Sequence, residues 1–222
     1  MRTPVIVLNF KGYIEVCGDK GLNLAKICEQ VAAETDHSII VAPQMVDLAI
    51  TAESVDIPVF AQNLDNVKVG SCTGSVTPES VAGCGAKGSL LNHSEHRLIM
   101  ADIDSLIQRA RDNGLETILC TNNLPVTRAG ATLNPDYIAI EPPELIGGDI
   151  SVTSADPGIV ENAVAEVKKI NPGIGVLCGA GVKNSEDVHK AIELGTEGVL
   201  LASGVIKAAD PKSVLMDLVK GL

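Results

Sequence analysis

The chain has 222 residues, a net charge of −11 and few aromatic side chains, with two Phe, two Tyr and no Trp. Because it is acidic and has no Lys/Arg-rich run, it is a poor partner for nucleic acid or for anionic membranes. No apolar run reaches the length of a membrane span, and residues 1–4 lead directly into a strand-like run, which predicts a cytoplasmic protein without a signal peptide.

Short runs of β-branched and aliphatic residues recur along the chain. Most of them are continuous rather than alternating, which is typical of parallel strands buried on both faces. Eight runs are predicted as strands: Val5–Asn9, Ser38–Ala42, Val59–Gln62, Ser89–Asn92, Thr117–Cys120, Tyr137–Glu141, Gly175–Cys178 and Gly198–Ala202.

Amphipathic stretches separate these runs and are typical of helices. Two stretches end in left-handed turns at Asn113-Gly114 and Leu194-Gly195, and Asn184 or Ser185 is suited to begin a helix. The predicted helices include Leu22–Glu34, Val46–Ala52, Pro78–Ala86, Arg97–Asn113, Gly158–Ile170 and Ser185–Leu194.

Eight strand-then-helix units of roughly 28 residues each predict an α/β fold, a (β/α)8 TIM barrel, with residues 1–222 forming a single domain. The alternative is an open doubly wound sheet, which carries Gly-x-Gly-x-x-Gly after its first strand. Here the first strand is followed by Phe10-Lys11-Gly12. The pair Gly179 and Gly181 lacks a third glycine and comes near the end of the chain. The sequence therefore favours the barrel, whose active sites lie on the loops after the strands.

The sixth predicted strand ends at Glu141, and the residues after it include both prolines, which restrict the backbone, and glycines, which make it flexible. Pro142 and Pro143 fix the backbone directly after the carboxylate, and Gly147 and Gly148 free it a few residues later. A rigid segment between hinges suits a lid that closes over an active site. Glu141 is therefore the leading candidate for a catalytic base.

Two other strand ends carry candidates for stabilising negative charge. Lys11 can supply positive charge to an anionic substrate, although taken alone it is better interpreted as a surface lysine. If a helix starts at Arg97, its backbone N–H groups favour neutral His93, which can polarise a carbonyl; taken alone, a core histidine fits equally well. Glu95 is expected to pair with Lys11 or Arg97. Asn9, considered alone, fits the fixing of a loop better than substrate binding.

The last two strands lead into glycine turns, Gly179-Ala180-Gly181 and Ala202-Ser203-Gly204. Backbone N–H groups in such turns can converge on an anion, and in barrels this is the usual place for a phosphate. One glycine turn is weak support, because any strand-to-helix turn can use glycine. Two in succession at this place favour a phosphate site.

The histidines and cysteines do not indicate a metal centre or a covalent nucleophile. The four histidines show no His-x-His or His-Glu-x-x-His spacing. The six cysteines show no Cys-x-x-Cys pattern and are interpreted as reduced, mostly buried thiols without a catalytic role.

Taken together, five motifs resemble those of the triosephosphate isomerase family in its short archaeal type. They follow the family's order and extend from the first predicted strand to the last. The motifs are Asn9-Phe10-Lys11, Asn92-His93-Ser94-Glu95, Glu141-Pro142-Pro143-Glu144-Leu145-Ile146-Gly147, Gly179-Ala180-Gly181-Val182 and Ala202-Ser203-Gly204-Val205. Each motif alone is weak, but the set is specific.

This resemblance implies interconversion of dihydroxyacetone phosphate and D-glyceraldehyde 3-phosphate, in glycolysis and gluconeogenesis. Glu141 is implied as the base that moves a proton through an enediolate, and His93 as the neutral electrophile. Lys11 is implied as the third catalytic residue, contacting the substrate together with Asn9 and Phe10. Backbone groups are implied to hold the phosphate around Ile146, Gly147, Gly181, Ala202 and Ser203.

The resemblance also implies a small-molecule triose phosphate as the partner, with no cofactor and no metal. The family forms dimers, and some archaeal members form tetramers, so a homodimer or homotetramer is expected.

The sequence departs from the family pattern at two places. His96 stands where the family usually has Arg, or another polar residue in archaeal members, so a supporting ion pair is expected to be missing. Gly148, Asp149 and Ser151 replace the Thr, Gly and Pro of the archaeal lid pattern, and we expect the open lid to be more disordered and its closure more costly.

Two other interpretations remain open. Another phosphate-binding barrel enzyme, of the indole-glycerol-phosphate or thiamine-phosphate type, explains the late glycine turns but not Asn9, Lys11, His93 and Glu141 together. The second is a barrel that binds a sugar phosphate without converting it, which does not explain why all the catalytic residues are present.

Overall fold

A computed structural model of the chain describes residues 3–142, 156–179 and 181–222. In these ranges, every strand pairs in parallel with its neighbours. The strands are β1 (Val5–Asn9), β2 (Ser38–Ala42), β3 (Phe60–Ala61), β4 (Gly88–Leu91), β5 (Glu116–Thr121), β6 (Tyr137–Ile140), β7 (Gly175–Cys178) and β8 (Gly198–Leu201).

Helices fill the connections between the strands. Those described are α1 (Asp19–Thr35), α2 (Leu48–Ser54), α3 (Pro78–Gly83), α4 (Met100–Asp112), α5 (Leu124–Ala131), α6 (Pro157–Ile170), α7 (Ser185–Glu193), α8 (Ser203–Ile206) and α9 (Pro211–Leu218). No helix in the described ranges is long and apolar enough to cross a membrane.

The strands form one sheet in the order β2-β1-β8-β7-β6-β5-β4-β3. A parallel bridge between Val41 and Val59 links the two end strands, so the sheet is a nearly closed barrel. The predicted (β/α)8 barrel is confirmed, and the open doubly wound sheet is excluded. All the C-terminal ends of the strands consequently lie at one face of the molecule.

Alternate residues of each strand face two different cores. Residues such as Ile6 and Leu8 pack with helix side chains in a large cluster between the sheet and the helices. Their neighbours Val5 and Val7 belong to a second cluster made of strand residues alone, which fills the barrel interior. This interior is largely aliphatic, as the composition indicates, but it also holds Phe60 and Tyr137, among the few aromatic residues of the chain.

The connection after β4 differs from its prediction. Helix α4 begins at Met100 rather than at Arg97, because the preceding residues make other hydrogen bonds. Arg97 donates to the backbone carbonyl of Asn92 (Nη1–O 2.7 Å), and the Leu98 N–H donates to Asn92 Oδ1 (2.9 Å). Asn92 has a left-handed backbone with φ of 59°, which asparagine adopts more readily than most residues. One asparagine thus shapes the loop that carries His93.

All six cysteines are free thiols. Cys28, Cys120 and Cys178 are buried, whereas the other three, Cys17, Cys72 and Cys84, are half-buried. The predicted reduced state is confirmed in the structure, but burial holds for half of them only, because Cys17 and Cys72 lie in loops and Cys84 at the end of a short helix.

Candidate active site

A cavity of about 460 Å³ opens at the C-terminal face of the barrel. Side chains from the ends of β1, β4 and β6 meet there with the turns that follow β7 and β8. Predicted site residues that line it are Asn9, Lys11, His93, Glu141, Gly181, Ala202 and Ser203. The fold therefore brings together groups that are far apart in the sequence.

The loop after β1 holds Lys11 in a defined position. Asn9 Oδ1 accepts a hydrogen bond from the Lys11 backbone N–H (2.9 Å), and Gln62 Nε2 donates to the Lys11 carbonyl (3.0 Å). The Lys11 backbone is left-handed, with φ of 48°. This conformation is strained for a lysine, and strained backbone of this kind is found most often at functional sites. Its ammonium pairs with Glu95 (Nζ–Oε1 2.8 Å), which confirms one of the two predicted partners of Glu95.

His93 is buried, and both ring nitrogens have defined surroundings. Nδ1 accepts a hydrogen bond from the Glu95 backbone N–H (3.2 Å). Nε2 lies 3.6 Å from Glu141 Oε1. Because Nδ1 acts as an acceptor, the proton of a neutral ring resides on Nε2 and points towards the cavity and Glu141.

Burial lowers the pKa of His93 to about 4, and the charges of Lys11 and Arg97 act in the same direction, opposed by Glu95. The imidazole is therefore neutral near pH 7, and its contact with Glu141 is not an ion pair. We predicted a neutral ring stabilised by the N-terminus of a helix at Arg97. The predicted role of the helix N-terminus is wrong, because α4 begins only at Met100. The backbone N–H that contacts the ring belongs to Glu95, in the turn before the helix.

Glu141 is the most unusual carboxyl group of the site, because it is 3% exposed. Its backbone N–H donates to the Thr121 carbonyl (2.8 Å), which continues the ladder beyond β6. Oε2 has no hydrogen-bond partner among the described residues. Burial raises the pKa of Glu141 to about 7, and this rise is opposed by the Cys120 thiol and by the charges of Lys11 and Arg97. A buried carboxylate with an unsatisfied oxygen is a stronger base than an exposed one.

The raised pKa predicts the acid side of a pH–activity profile. A base must be ionised to accept a proton, so kcat/KM should fall about tenfold per pH unit below about pH 7. His93 stays neutral over this range because its pKa is about 4. The measurement is kcat/KM between pH 5 and 9, together with an infrared titration of the Glu141 carboxyl band.

The infrared titration separates Glu141 from the substrate, whose phosphate also titrates at about 6. Subtracting the spectrum of the Glu141→Gln variant isolates the band of this carboxyl. A midpoint near the ordinary glutamate value of 4.5 would contradict the prediction.

Gly179, directly after β7, leaves space for the Glu141 side chain. A Cβ atom at this position would lie 2.4 Å from Glu141 Cγ and 3.2 Å from Cδ. The backbone is nevertheless held, since the Gly179 N–H donates to the Ile140 carbonyl (3.0 Å). From the sequence, this glycine was interpreted as part of an anion-binding turn, and its close approach to the carboxylate was missed. The signal available in the sequence was the glycine placed directly after an apolar strand, where a missing side chain leaves space for a neighbouring strand end.

The turns after β7 and β8 bring no acidic side chain of the described residues to the cavity; they contribute Gly181, Val182, Lys183, Ala202, Ser203, Gly204 and Lys207. Gly181 has a left-handed backbone with φ of 73°. Ser203 begins α8, whose first residues have N–H groups without partners inside the helix. This is the environment expected for a phosphate.

Other predicted residues lie elsewhere. Phe10 is fully buried in the cluster between sheet and helices, and it does not line the cavity. His96 is exposed at the surface of the loop after β4. Ile146 and Gly147, and with them the predicted lid and its departures at Gly148, Asp149 and Ser151, lie outside the described residues.

Metal ligands are not clustered in the part of the chain that the structure describes. No group of three or more His, Cys, Asp or Glu side chains in residues 3–142, 156–179 and 181–222 is placed to hold an ion. The histidine of the site instead faces a carboxylate and a backbone N–H.

The fold and the site define a class of protein. It is a parallel (β/α)8 barrel with a buried carboxyl group, a neutral imidazole and a lysine around one cavity at the strand ends. Acid–base chemistry on a small anionic ligand suits this arrangement.

Comparison with known proteins identifies the family. The family model described as triosephosphate isomerase matches residues 4–222. A triosephosphate isomerase of Methanothermus fervidus is 53% identical over 219 residues, covering 99% of both chains. Those of Methanocaldococcus jannaschii (51% over 216 residues, 97% of this chain and 99% of the relative) and Archaeoglobus fulgidus (51% over 218 residues, 98% of each) are similarly related. The chain belongs to the triosephosphate isomerase family.

Proposed function

We propose that this isomerase interconverts dihydroxyacetone phosphate and D-glyceraldehyde 3-phosphate by proton transfer through an enediolate. The observation that carries the proposal is the buried Glu141 carboxyl group, 3.6 Å from the Nε2 of a neutral His93 at the cavity. Moving a proton between adjacent carbons needs a base on one side and a stabiliser of the oxyanion on the other. The names of the archaeal relatives support this substrate pair.

In this mechanism, Glu141 takes a proton from the hydroxyl-bearing carbon next to the carbonyl and returns it to the former carbonyl carbon. The hydroxyl proton passes to the former carbonyl oxygen, so that carbonyl and hydroxyl exchange places. His93 donates Nε2–H to the oxygen that gains negative charge, and the Lys11 ammonium stabilises the same charge. Glu95 holds Lys11 in position through the 2.8 Å ion pair. Asn9 fixes the Lys11 loop and contacts the substrate. Phe10 lies in the core and does not line the cavity, so it supports this loop instead of contacting the substrate.

The phosphate of the substrate occupies the opposite end of the cavity, on backbone N–H groups of Gly181, Ala202 and Ser203. Ile146 and Gly147 complete this site as part of a lid. Closure of the lid excludes water, in which the enediolate phosphate would lose its phosphate group. We expect no redox group and no metal, because the isomerisation is redox-neutral overall and Lys11 and His93 supply the charge and the hydrogen-bond donor for the oxyanion. It is a step of glycolysis and gluconeogenesis, so we expect the protein in the cytoplasm.

The first experiment is conversion of glyceraldehyde 3-phosphate by purified protein, followed with a coupled dehydrogenase in the presence of EDTA. Rapid turnover that survives EDTA is the expected result. Phosphate binding without turnover would favour a sugar-phosphate binding protein, and turnover only of other phosphorylated substrates would favour another barrel enzyme.

A second copy of this chain is the proposed protein partner, in a homodimer or homotetramer. Ile14 and Val46 are 73% and 86% exposed on the loops after β1 and β2. The loops are neighbours, since Gln44 Nε2 donates to the Tyr13 carbonyl (3.3 Å). Large apolar side chains exposed together are typical of an interface. Val69 and Ile99, 57% and 67% exposed, lie on later loops of the same barrel face.

The combined variant Ile14→Glu and Val46→Glu should weaken self-association by at least about 100-fold, because two carboxylates would be buried without partners. Light scattering over a concentration series measures the change. Ile170→Glu is the matched control, because Ile170 is 39% exposed at the end of α6. An unchanged oligomer in the double variant would exclude this surface as the interface.

A further inference from the structure

Lys207 lines the cavity with a positively charged side chain, and the mechanism described so far gives it no role. It directly follows α8, and its backbone N–H donates to the Ser203 carbonyl (3.0 Å). Its side chain lines the same cavity as Lys11, His93 and Glu141. It therefore lies next to the turn that we propose for the phosphate.

The Tyr13 ring holds the Lys207 side chain. Lys207 Nζ lies 4.8 Å from the centroid of this ring, within the range of a cation–π contact. Tyr13 is itself fixed, since its carbonyl accepts hydrogen bonds from Gln44 Nε2 (3.3 Å) and Cys17 Sγ (3.5 Å). A ring positions an ammonium group without neutralising its formal charge, unlike a carboxylate.

Three lysines line the cavity, Lys11, Lys183 and Lys207, and the charges of Lys11 and Lys207 are balanced differently. Lys11 forms an ion pair with Glu95 (2.8 Å), so much of its field is compensated before substrate arrives. No carboxylate of the described residues forms an ion pair with Lys207. The chain as a whole carries a net charge of −11, which repels a phosphate dianion. An uncompensated cation at the cavity acts against that repulsion and raises the local concentration of an anion.

We propose that Lys207, positioned by the Tyr13 ring, is a further substrate-binding residue that attracts the phosphate group of the triose phosphate into the cavity. The inference rests on the proposed function for the identity of the substrate. Lys207 acts on association and affinity, whereas Glu141 and His93 act on the chemical step. Tyr13 is a positioning residue, and its ring rather than its hydroxyl group carries the effect.

Lys207→Gln should raise KM, and the inhibition constant for inorganic phosphate, by about threefold to tenfold, as expected for removal of one exposed charge near a dianion. The value of kcat should change much less. The dependence of kcat/KM on ionic strength should become shallower than in the wild type. Lys87→Gln is the matched control, because Lys87 is exposed before β4 at the opposite face of the barrel and changes the net charge equally.

Tyr13→Leu should reproduce part of the rise in KM, and Tyr13→Phe should restore most of the affinity because it keeps the ring. Calorimetric titration with inorganic phosphate tests the same point without turnover, so it separates this inference from the proposed function. Loss of phosphate affinity in Lys207→Gln but not in Lys87→Gln supports the inference even if no triose phosphate is isomerised. Unchanged phosphate affinity in Lys207→Gln, or an equal change in Lys87→Gln, would overturn it.

Discussion

Replacing Glu141 with Gln should lower kcat by about two to four orders of magnitude, the range typical of a general base. Gln has nearly the same shape but cannot accept the proton, and its neighbours His93 and Cys120 cannot take over this role. The His93 imidazole already acts as a hydrogen-bond donor to the substrate oxygen, so it is not available as the base. Burial raises the pKa of the Cys120 thiol well above its ordinary value, so this thiol does not ionise to replace the carboxylate. Steady-state kinetics in both directions measure the loss.

The stability of the same variant provides the control for its fold. Burial raises the pKa of Glu141 from 4.5 to about 7, so the folded state binds more protons than the unfolded state between these values. Wild-type stability from this group is therefore complete below about pH 4.5 and is lost as the pH rises towards 7. Glu141→Gln should be more stable than the wild type at pH 8, by roughly 3 kcal/mol, and the difference should vanish near pH 4.5.

Urea unfolding at both pH values measures this difference, with the exposed Glu161→Gln as a control that should show none. A Glu141→Gln variant that retains its fold and keeps wild-type kcat would remove Glu141 from the mechanism. Equal stability of variant and wild type at pH 8 would show that the carboxyl group is ionised without cost in the folded state.

Gly179→Ala should lower kcat by about 100-fold, because a misplacement of about 1 Å is sufficient for a loss of this size. The added Cβ would lie 2.4 Å from Glu141 Cγ, so the carboxyl group has to move away from its position beside His93. Affinity for inorganic phosphate should stay within about twofold of the wild type, since the three atoms nearest the added Cβ all belong to Glu141 and none to the Gly181, Ala202 or Ser203 backbone. Kinetics together with phosphate titration test both expectations.

Gly83→Ala is the matched control for this substitution. A Cβ at Gly83, in α3, would meet nothing within 4 Å, and alanine favours a helix over glycine. The displaced carboxyl of Gly179→Ala should also lose part of its burial, which lowers its pKa and shifts the acid side of the pH profile downward. Wild-type kcat and an unshifted profile in Gly179→Ala would show that Glu141 tolerates the contact.

Much of the fold could be predicted from the sequence because strands buried on both faces have a local signature. The predicted bounds of β1, β2 and β7 are identical to those in the structure. The predicted cap at Asn184 is also present, with its side chain accepting from the Asp187 N–H. The predicted start of α4 is wrong because Arg97 and Leu98 form hydrogen bonds with Asn92 instead of joining the helix. The spacing of apolar residues along the chain gives no sign of these hydrogen bonds. Helix α5, which the pattern did not single out, is short and contains Pro125 and Gly130.

The candidate site divides in the same way. The sequence by itself determined which groups stand at the strand ends, namely Lys11, His93 and Glu141, because an apolar run and the polar residue that ends it are adjacent in the chain. Only the tertiary structure decided their chemistry. The raised pKa of Glu141, the space left by Gly179 and the contact of Lys207 with Tyr13 all arise between distant segments. Desolvation and close approach depend on distances in the folded molecule, and no local pattern of residues specifies them.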